Sequence, residues 1–233
     1  MTPAELDHKI SEVDRRIRAA ERAAGRPEGS VSLLAVSKTK PSELVRQAHR
    51  LGLSTFGENY AQELAEKAQA LADLNLSWHF IGPIQSNKTA LIAECSDWVH
   101  SIDRLKIARR LSEQRPPDRG PLNILIQVKT SGEERKSGVA PEALPDLVTA
   151  VTELPNLALR GLMTIPAPAT DEVSQRRPFL QLRELLTNLP SKHLDTLSMG
   201  MSQDLEAAIS EGATIVRVGT DIFGARYNTV PLE

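Results

Sequence analysis

The sequence predicts a closed (β/α)8 barrel of the TIM type, on three observations. Eight short apolar runs alternate with amphipathic stretches along the 233 residues. Strands that alternate with helices pair in parallel through right-handed crossovers. A barrel of eight such units has about 250 residues and at least about 200. A doubly wound sheet, the alternative architecture, usually has about five to seven strands.

The first predicted element is an extra N-terminal helix over about residues 3–24. Thr2 can cap this helix, Pro3 fits its first position, and Glu5 completes a capping box. Apolar residues follow at helical spacing, and the opposite face carries three arginines: Arg15, Arg16 and Arg18. Acidic residues are interleaved with these arginines, which favours a solvated helix face over a nucleic-acid stripe.

The eight repeating units follow this helix in order. The predicted strands are Val31–Val36, Thr55–Gly57, Trp78–Ile81, Trp98–Val99, Leu122–Val128, Leu157–Met163, Leu194–Leu197 and Ile215–Val218. The helices predicted between them are Pro41–Leu51, Ala61–Leu74, Ser86–Glu94, Asp103–Gln114, Pro141–Leu154, Ser174–Leu189 and Gln203–Glu211. Since no change of composition marks a boundary, residues 1–233 are expected to form a single domain.

Composition excludes several classes of function. Lys plus Arg is 28 and Asp plus Glu is 30, so the formal net charge of -2 provides no positive field for nucleic acid. The single cysteine, Cys95, fits a reducing compartment. The N-terminus is polar, and no run approaches the roughly 20 apolar residues of a membrane helix. We therefore expect a soluble, cytoplasmic protein that binds neither nucleic acid nor membrane.

Lys38 is the first candidate for chemistry, because barrel active sites lie at the carboxyl ends of the strands. Lys38 follows the first predicted strand, where alternation directs it into the barrel mouth. A lysine in an apolar pocket loses solvation and its pKa falls, so that its amine can form a Schiff base with a carbonyl. The alternative is a lysine at a strand end that reaches solvent.

Two loops rich in Gly, Ser and Thr are candidates for a phosphate site. Ser198–Asp204 follows the seventh predicted strand, where Gly200 would allow close approach of a ligand and Ser202 would cap the next helix. Gly219 and Thr220 follow the eighth strand. Barrels frequently bind phosphate with the loops after strands seven and eight. Ordinary helix capping is the alternative interpretation.

Arg217 precedes the second of these loops and is predicted to lie inside the barrel. A buried arginine needs a partner, which in a purely structural role would be a carboxylate such as Glu58 or Asp221. An amine nucleophile, a phosphate cradle and a buried cation together suit pyridoxal 5'-phosphate. Its aldehyde would bond to Lys38, and its ring nitrogen would face Arg217.

Ordered motifs cover nearly the whole chain. They are Ala35-Val36-Ser37-Lys38-Thr39, Phe56-Gly57-Glu58-Asn59-Tyr60, His79-Phe80-Ile81-Gly82, Gln85-Ser86-Asn87-Lys88, Lys136-Ser137-Gly138, Leu162-Met163-Thr164, Ser198-Met199-Gly200-Met201-Ser202 and Arg217-Val218-Gly219-Thr220-Asp221-Ile222-Phe223-Gly224. In these motifs the chain resembles the pyridoxal phosphate homeostasis protein family, from about residue 31 to residue 227. Members of that family are similar to the barrel domain of alanine racemase and lack its second domain.

The resemblance implies a set of cofactor-binding residues. Lys38 would carry the cofactor as an internal aldimine, and Arg217 would meet the pyridine nitrogen. The implied phosphate-binding residues are Ser198, Ser202, Gly219 and Thr220, within motifs that also supply Gly200 and Met201. Three further residues would line the ring or the front of the pocket: Asn59, His79 and Met163.

Arg217 limits the chemistry that such a site can support. Arginine stays protonated, so the ring nitrogen it contacts remains an unprotonated acceptor and easy carbanion chemistry is disfavoured. The expected function is therefore a monomeric carrier or regulator in vitamin B6 and amino- and keto-acid homeostasis. Such a protein would not be an enzyme, and apo-enzymes that use the cofactor would be its recipients.

Three other functions stay open from the sequence. A weak amino-acid racemase would need a second acid–base group, for which the chain offers only Tyr60 and Tyr227 as tyrosines. A Schiff-base aldolase would use the Lys38 amine on a phosphorylated sugar. A protein-interaction module would use the N-terminal helix and the basic stretch Arg104–Arg110. Metal binding is not expected, because no His/Cys pair has ligand spacing.

Overall fold

Eight parallel strands close into a barrel in the computed structural model, which describes residues 1–131, 137–190 and 193–225. The strands are β1 (Ser32–Val36), β2 (Thr55–Glu58), β3 (Ser77–Phe80), β4 (Trp98–Ile102), β5 (Leu122–Gln127), β6 (Leu157–Met163), β7 (Thr196–Ser198) and β8 (Ile215–Val218). Each strand pairs with its neighbours in sequence, and β1 pairs with β8. The predicted barrel and all eight of its strands are confirmed.

Helices follow the strands and surround the barrel. They are α1 (Pro3–Ala23), α2 (Ser42–Arg50), α3 (Ala61–Ala70), α4 (Thr89–Cys95), α5 (Leu105–Gln114), α6 (Leu144–Thr152), α7 (Glu172–Thr187), α8 (Leu205–Ser210) and α9 (Thr220–Phe223). The sequence pattern did not predict α9, because four residues cannot show a helical period. None of the helices within these described residues combines the length and the apolar character needed to span a membrane.

Strand β4 is longer than the predicted Trp98–Val99, since it continues through His100 and Ser101 to Ile102. Both polar side chains in this extension are buried and hydrogen bonded: Ser101 Oγ donates to the carbonyl oxygen of Gly82 at 2.6 Å. Polar residues are compatible with a buried strand when they have hydrogen-bond partners. A search for apolar runs overlooks such residues and therefore ends the strand too early.

Helix α1 has the predicted capping box between Thr2 and Glu5. Its apolar face is buried and packs against α8 and α9, the helices that follow strands β7 and β8. The expectation of a wholly solvated arginine face is wrong for two of the three arginines. Arg15 is exposed, whereas Arg16 and Arg18 are partly buried and held by carboxylates.

A candidate cofactor site at the barrel mouth

A cavity of about 330 Å³ opens at the carboxyl ends of the strands. This volume lies in the range of about 300–1,000 Å³ that is typical of small-molecule sites. Seven of the predicted site residues line it: Lys38, Asn59, Met201, Ser202, Arg217, Gly219 and Thr220. The barrel thus brings together residues from the loops after β1, β2, β7 and β8, which are far apart in the sequence.

Lys38 lies two residues beyond β1, half-buried at the cavity. Carboxylates hold the residues on both sides of Lys38. Ser37 Oγ donates to Glu58 Oε1 at 2.6 Å, and the N–H of Thr39 donates to Glu63 Oε1 at 2.6 Å. Thr39 has a φ of 63°, an uncommon conformation for a non-glycine residue. These contacts fix the position from which the Lys38 side chain enters the cavity.

A buried ammonium, Lys67 on α3, joins the two carboxylates into one cluster. Its Nζ donates to Glu58 Oε1, to Glu63 Oε1 and to the carbonyl oxygen of Ser37, each at 2.7 Å. Burial nonetheless raises the pKa of Glu58 to about 7, although Lys67 acts to lower it. The second oxygen, Glu58 Oε2, has no hydrogen-bond partner among the described residues.

Arg217 lies inside the barrel, as predicted, and is 3% exposed. Its NH1 donates to Ser198 Oγ at 2.8 Å, and its NH2 donates to the carbonyl oxygen of Thr164 at 2.9 Å. Burial lowers the pKa of Arg217 to about 10, so the guanidinium stays protonated at neutral pH. The remaining N–H groups are available to an acceptor in the cavity that Arg217 lines.

The proposed structural salt bridge of Arg217 with Glu58 or Asp221 is wrong. Glu58 pairs with Lys67, and Asp221 pairs with Arg16. Within the described residues, no carboxylate lies at ion-pair distance from Arg217. A buried charge without such a partner is expensive, and its direction into a cavity indicates a site for a ligand.

Behind Arg217, a chain of hydrogen bonds runs through the interior of the barrel. Ser198 Oγ lies 2.9 Å from His100 Nδ1, and His100 Nε2 lies 2.9 Å from His79 Nδ1. His79 Nε2 lies 3.3 Å from Ser77 Oγ, and the imidazole ring of His79 stacks on the indole ring of Trp98. This chain joins the mouth of the barrel to its interior.

The proton positions in this chain follow from its ends. Burial lowers the pKa of His79 to about 3, and burial together with His79 and Arg217 lowers the pKa of His100 well below its usual range. Both rings are therefore neutral. Arginine only donates hydrogen bonds, so Ser198 Oγ accepts one from Arg217. The hydroxyl proton of Ser198 is then donated to His100 Nδ1, which is the other hydrogen-bond partner of this oxygen. Each ring then donates through Nε2.

Four predicted site residues do not line the cavity. The Ser198 side chain is fully buried behind Arg217, with its hydroxyl engaged there, and His79 lies deeper in the same chain. Met163 is fully buried at the end of β6. Gly200 has a φ of 92°, and a Cβ there would lie 2.5 Å from the Cβ of Ala208, so the glycine is required by backbone packing.

Two loops provide hydrogen-bond donors to the cavity. The backbone N–H groups of Ser202, Gln203, Gly219 and Thr220 donate to no acceptor in the described part of the chain. Ser202 does not cap α8 as predicted: the N-cap is Asp204, whose carboxylate accepts the N–H of Met201 at 2.6 Å. The donors therefore belong to the loops rather than to a long helix.

Some predicted residues lie outside the described residues, namely Lys136 of one motif and Tyr227. The sequence pattern did not indicate the buried hydrogen bonds of His100, the Glu58–Lys67 pair or the ion pair between Arg16 and Asp221. Alternation along β4 offered a signal for His100, because it shares the face of Trp98. The pairing of Arg16 on α1 with Asp221, 205 residues later, left no local signal.

Comparison with known proteins places this geometry in context. The family of the alanine racemase N-terminal domain matches residues 9–227. The pyridoxal phosphate homeostasis protein of Pseudomonas aeruginosa is 63% identical over 226 residues, which are 97% of this chain and 98% of the relative. The protein of the same name from Escherichia coli strain K12 is 49% identical over 227 residues, 95% of this chain and 97% of the relative.

Among solved structures, PipY of Synechococcus elongatus with PLP bound superimposes with a TM-score of 0.78 at 36% identity. The match covers 90% of this chain and 99% of PipY.

Proposed function

The chain belongs to the pyridoxal phosphate homeostasis proteins, within the alanine racemase N-terminal domain family, and on that premise we propose that its barrel mouth binds pyridoxal 5'-phosphate. The observation that carries the proposal is the convergence on one cavity of Lys38, Arg217 and two loops whose N–H donors have no acceptor among the described residues. PipY, the relative whose structure holds PLP, supports the same ligand for this chain.

The residues present fit each part of this cofactor. The N–H groups of Ser202, Gln203, Gly219 and Thr220 lack acceptors among the described residues, and a phosphate supplies oxygens for them. Arg217 is a buried donor aimed into the cavity, which suits a ring nitrogen that accepts. Asn59 Oδ1, also at the cavity, is buried without a partner in the described residues.

When bound, the cofactor supplies an aldehyde for Schiff-base chemistry and an aromatic ring that can withdraw electrons. Lys38 provides the amine for the Schiff base. Arg217 donates to the ring nitrogen and, as a permanent cation, gives it no proton. The chain Ser198–His100–His79 holds the guanidinium in this orientation. A ring nitrogen kept unprotonated withdraws electrons weakly, so these residues favour holding the cofactor over turning over amino acids.

The surroundings of the cavity support the same conclusion. Racemisation needs an acid–base group opposite Lys38. Within the described residues no tyrosine lines the cavity, and Tyr60 is 53% exposed at the surface. We therefore assign the protein to storage and release of the cofactor in vitamin B6 homeostasis, with apo-enzymes as its recipients, rather than to racemisation or to aldol cleavage.

The test is an absorption spectrum of the purified protein with pyridoxal 5'-phosphate, followed by borohydride reduction and mapping of the modified lysine. We expect a visible Schiff-base band, and a reduced adduct on Lys38. Lys38→Ala should lose both. Lys106→Ala, which removes an exposed amine on α5, should keep both. A band that survives in Lys38→Ala, or an adduct on another lysine, contradicts the proposal.

The same samples distinguish the other functions. A racemase would interconvert the enantiomers of an amino acid, which is measured as loss of optical rotation. An aldolase would be colourless and would be trapped by borohydride only with its carbonyl substrate. A carrier of the cofactor is yellow without any substrate, and its visible absorption band shifts when an apo-enzyme is added.

A further inference from the structure

Arg16 on α1 bridges the two loops that face the cavity from strands β7 and β8. Its NH2 donates to the carbonyl oxygen of Ser202 at 2.8 Å, and its NH1 donates to Asp221 Oδ2 at 2.7 Å. Glu206 on α8 holds the same guanidinium through two further bonds, at 2.8 and 3.0 Å. One side chain, remote from Lys38 in sequence, thus joins both loops.

The bond to Ser202 has a consequence for the peptide that follows. No peptide bond in the described residues is cis, and in a trans peptide the C=O and the next N–H point in opposite directions. Arg16 holds the C=O of Ser202 on the α1 side, so the N–H of Gln203 points away from α1. Gln203 lines the cavity, and its N–H has no acceptor among the described residues.

The bond to Asp221 acts on the second loop. Asp221 directly follows Thr220 at the start of α9, and both residues line the cavity. Holding the Asp221 carboxylate against α1 fixes the turn that presents the N–H groups of Gly219 and Thr220. A carboxylate facing an anion site would repel the anion, and pairing with Arg16 reduces that repulsion.

The rest of α1 provides a rigid base for this contact. Its apolar residues Leu6, Ile10, Val13 and Ile17 are buried against the barrel layer. Arg16 itself is 25% exposed at its side chain, whereas the neighbouring Arg15 is 68% exposed and pairs only within α1, with Glu12. The two arginines therefore share their charge and their helix, but Arg16 contacts Ser202 and Asp221 whereas Arg15 contacts Glu12.

We infer that Arg16 is a positioning residue for the phosphate group of the cofactor: it sets the spacing of the two donor loops and so gives the site its preference for the phosphorylated aldehyde. The inference rests on the proposed function, since it assumes that the cofactor's phosphate occupies these loops. Arg16 does not touch the cofactor in this account. It acts through the Ser202–Gln203 peptide and through Asp221.

The experiment compares Arg16→Ala with Arg15→Ala in the full chain. Dissociation constants are measured by absorbance titration for pyridoxal 5'-phosphate and for pyridoxal, which lacks the phosphate. Loss of a charged hydrogen-bond network is expected to weaken pyridoxal 5'-phosphate binding about tenfold in Arg16→Ala. Pyridoxal binding should stay within about twofold. Arg15→Ala should change neither affinity.

Equal weakening of both ligands would assign Arg16 a merely structural role and overturn the inference, as would an unchanged affinity for both. Should Arg16→Ala fail to fold, Arg16→Lys provides the same comparison, with a selective loss of phosphate preference expected. The outcome is separable from the proposed function. If the unaltered protein forms no Schiff base with either aldehyde, the proposed function fails; if it does and Arg16→Ala keeps the phosphate preference, only this inference fails.

Discussion

Lys67 and Arg217 are buried cations of this barrel with opposite surroundings. Lys67 is 4% exposed and contacts two carboxylates, Glu58 and Glu63, at 2.7 Å. Arg217 is 3% exposed and contacts only a hydroxyl and a carbonyl oxygen among the described residues. Lys67 lies outside the cavity, and Arg217 lines it.

This difference distinguishes a cation that contacts carboxylates of the fold from one that we propose contacts the ligand. The charge of Lys67 is compensated by carboxylates, and its bonds hold the backbone around Lys38. No carboxylate of the described residues lies at ion-pair distance from Arg217, and the longer-range attraction of Asp204 compensates its charge only in part, so its burial costs stability unless a ligand acceptor meets it. Substitutions at the two positions should therefore affect different properties.

The largest effect on stability is expected from Lys67→Ala. This change leaves Glu58 buried without its cation, which should lower the free energy of unfolding by about 3 kcal/mol. Urea denaturation at pH 7 measures the loss. A loss below about 1 kcal/mol would show that Lys67 does not carry the stabilising role assigned to it here. Lys106→Ala on the exposed face of α5 is the matched control and should change the stability little.

Arg217→Met should affect stability little and cofactor binding strongly. Replacing a buried charge that has no direct carboxylate contact among the described residues by an apolar side chain should change the free energy of unfolding of the ligand-free protein by about 1 kcal/mol or less. Cofactor binding should weaken about tenfold, and the visible band should shift, because the ring nitrogen loses its donor. Arg217→Glu should also shift the band and should favour side reactions such as transamination. Cofactor chemistry that is unchanged in both variants would contradict the position of Arg217 at the ring nitrogen.

The Lys67 cluster should also make the stability of the protein depend on pH. The pKa of Glu58 is raised to about 7 from 4.5. The folded protein then binds more protons than the unfolded chain between these two values, so Glu58 contributes stability that is present below about pH 4.5 and is lost as the pH rises towards 7.

Glu58→Gln should remove this contribution, so that the free energy of unfolding depends less on pH between about 4.5 and 7 than in the unaltered protein. Glu66→Gln, an exposed residue of the same helix α3, is the control, and it should keep the decline. Identical pH profiles for Glu58→Gln and the unaltered protein would be inconsistent with a raised Glu58 pKa.

Local patterns explain how much of the fold could be predicted from the sequence. Alternating apolar runs located every strand, because each strand is buried on its outer face by a helix layer. The pattern underestimated β4, where His100 and Ser101 are polar residues with buried partners. Strand ends then located Lys38 and the loops that reach the cavity, since parallel strands end on one face of a barrel.

Residue pairing across the barrel could not be predicted in the same way. Nothing near Ser198 in sequence indicates that its hydroxyl is bonded to His100 and Arg217 rather than directed at the cavity. The alternative of a structural salt bridge between Arg217 and Glu58 or Asp221 fails for the same reason, because these carboxylates pair with Lys67 and Arg16 from other helices. Such pairings depend on the register of non-adjacent strands and on side-chain packing.

A crystal structure of the protein soaked with pyridoxal 5'-phosphate tests the central claim most directly. We predict electron density continuous from Lys38 Nζ into the cofactor, a phosphate held between the Ser202 and Thr220 loops, and the Arg217 guanidinium at hydrogen-bond distance from the ring nitrogen. Density for the cofactor at another lysine, or a ring nitrogen facing a carboxylate instead of Arg217, would contradict the account.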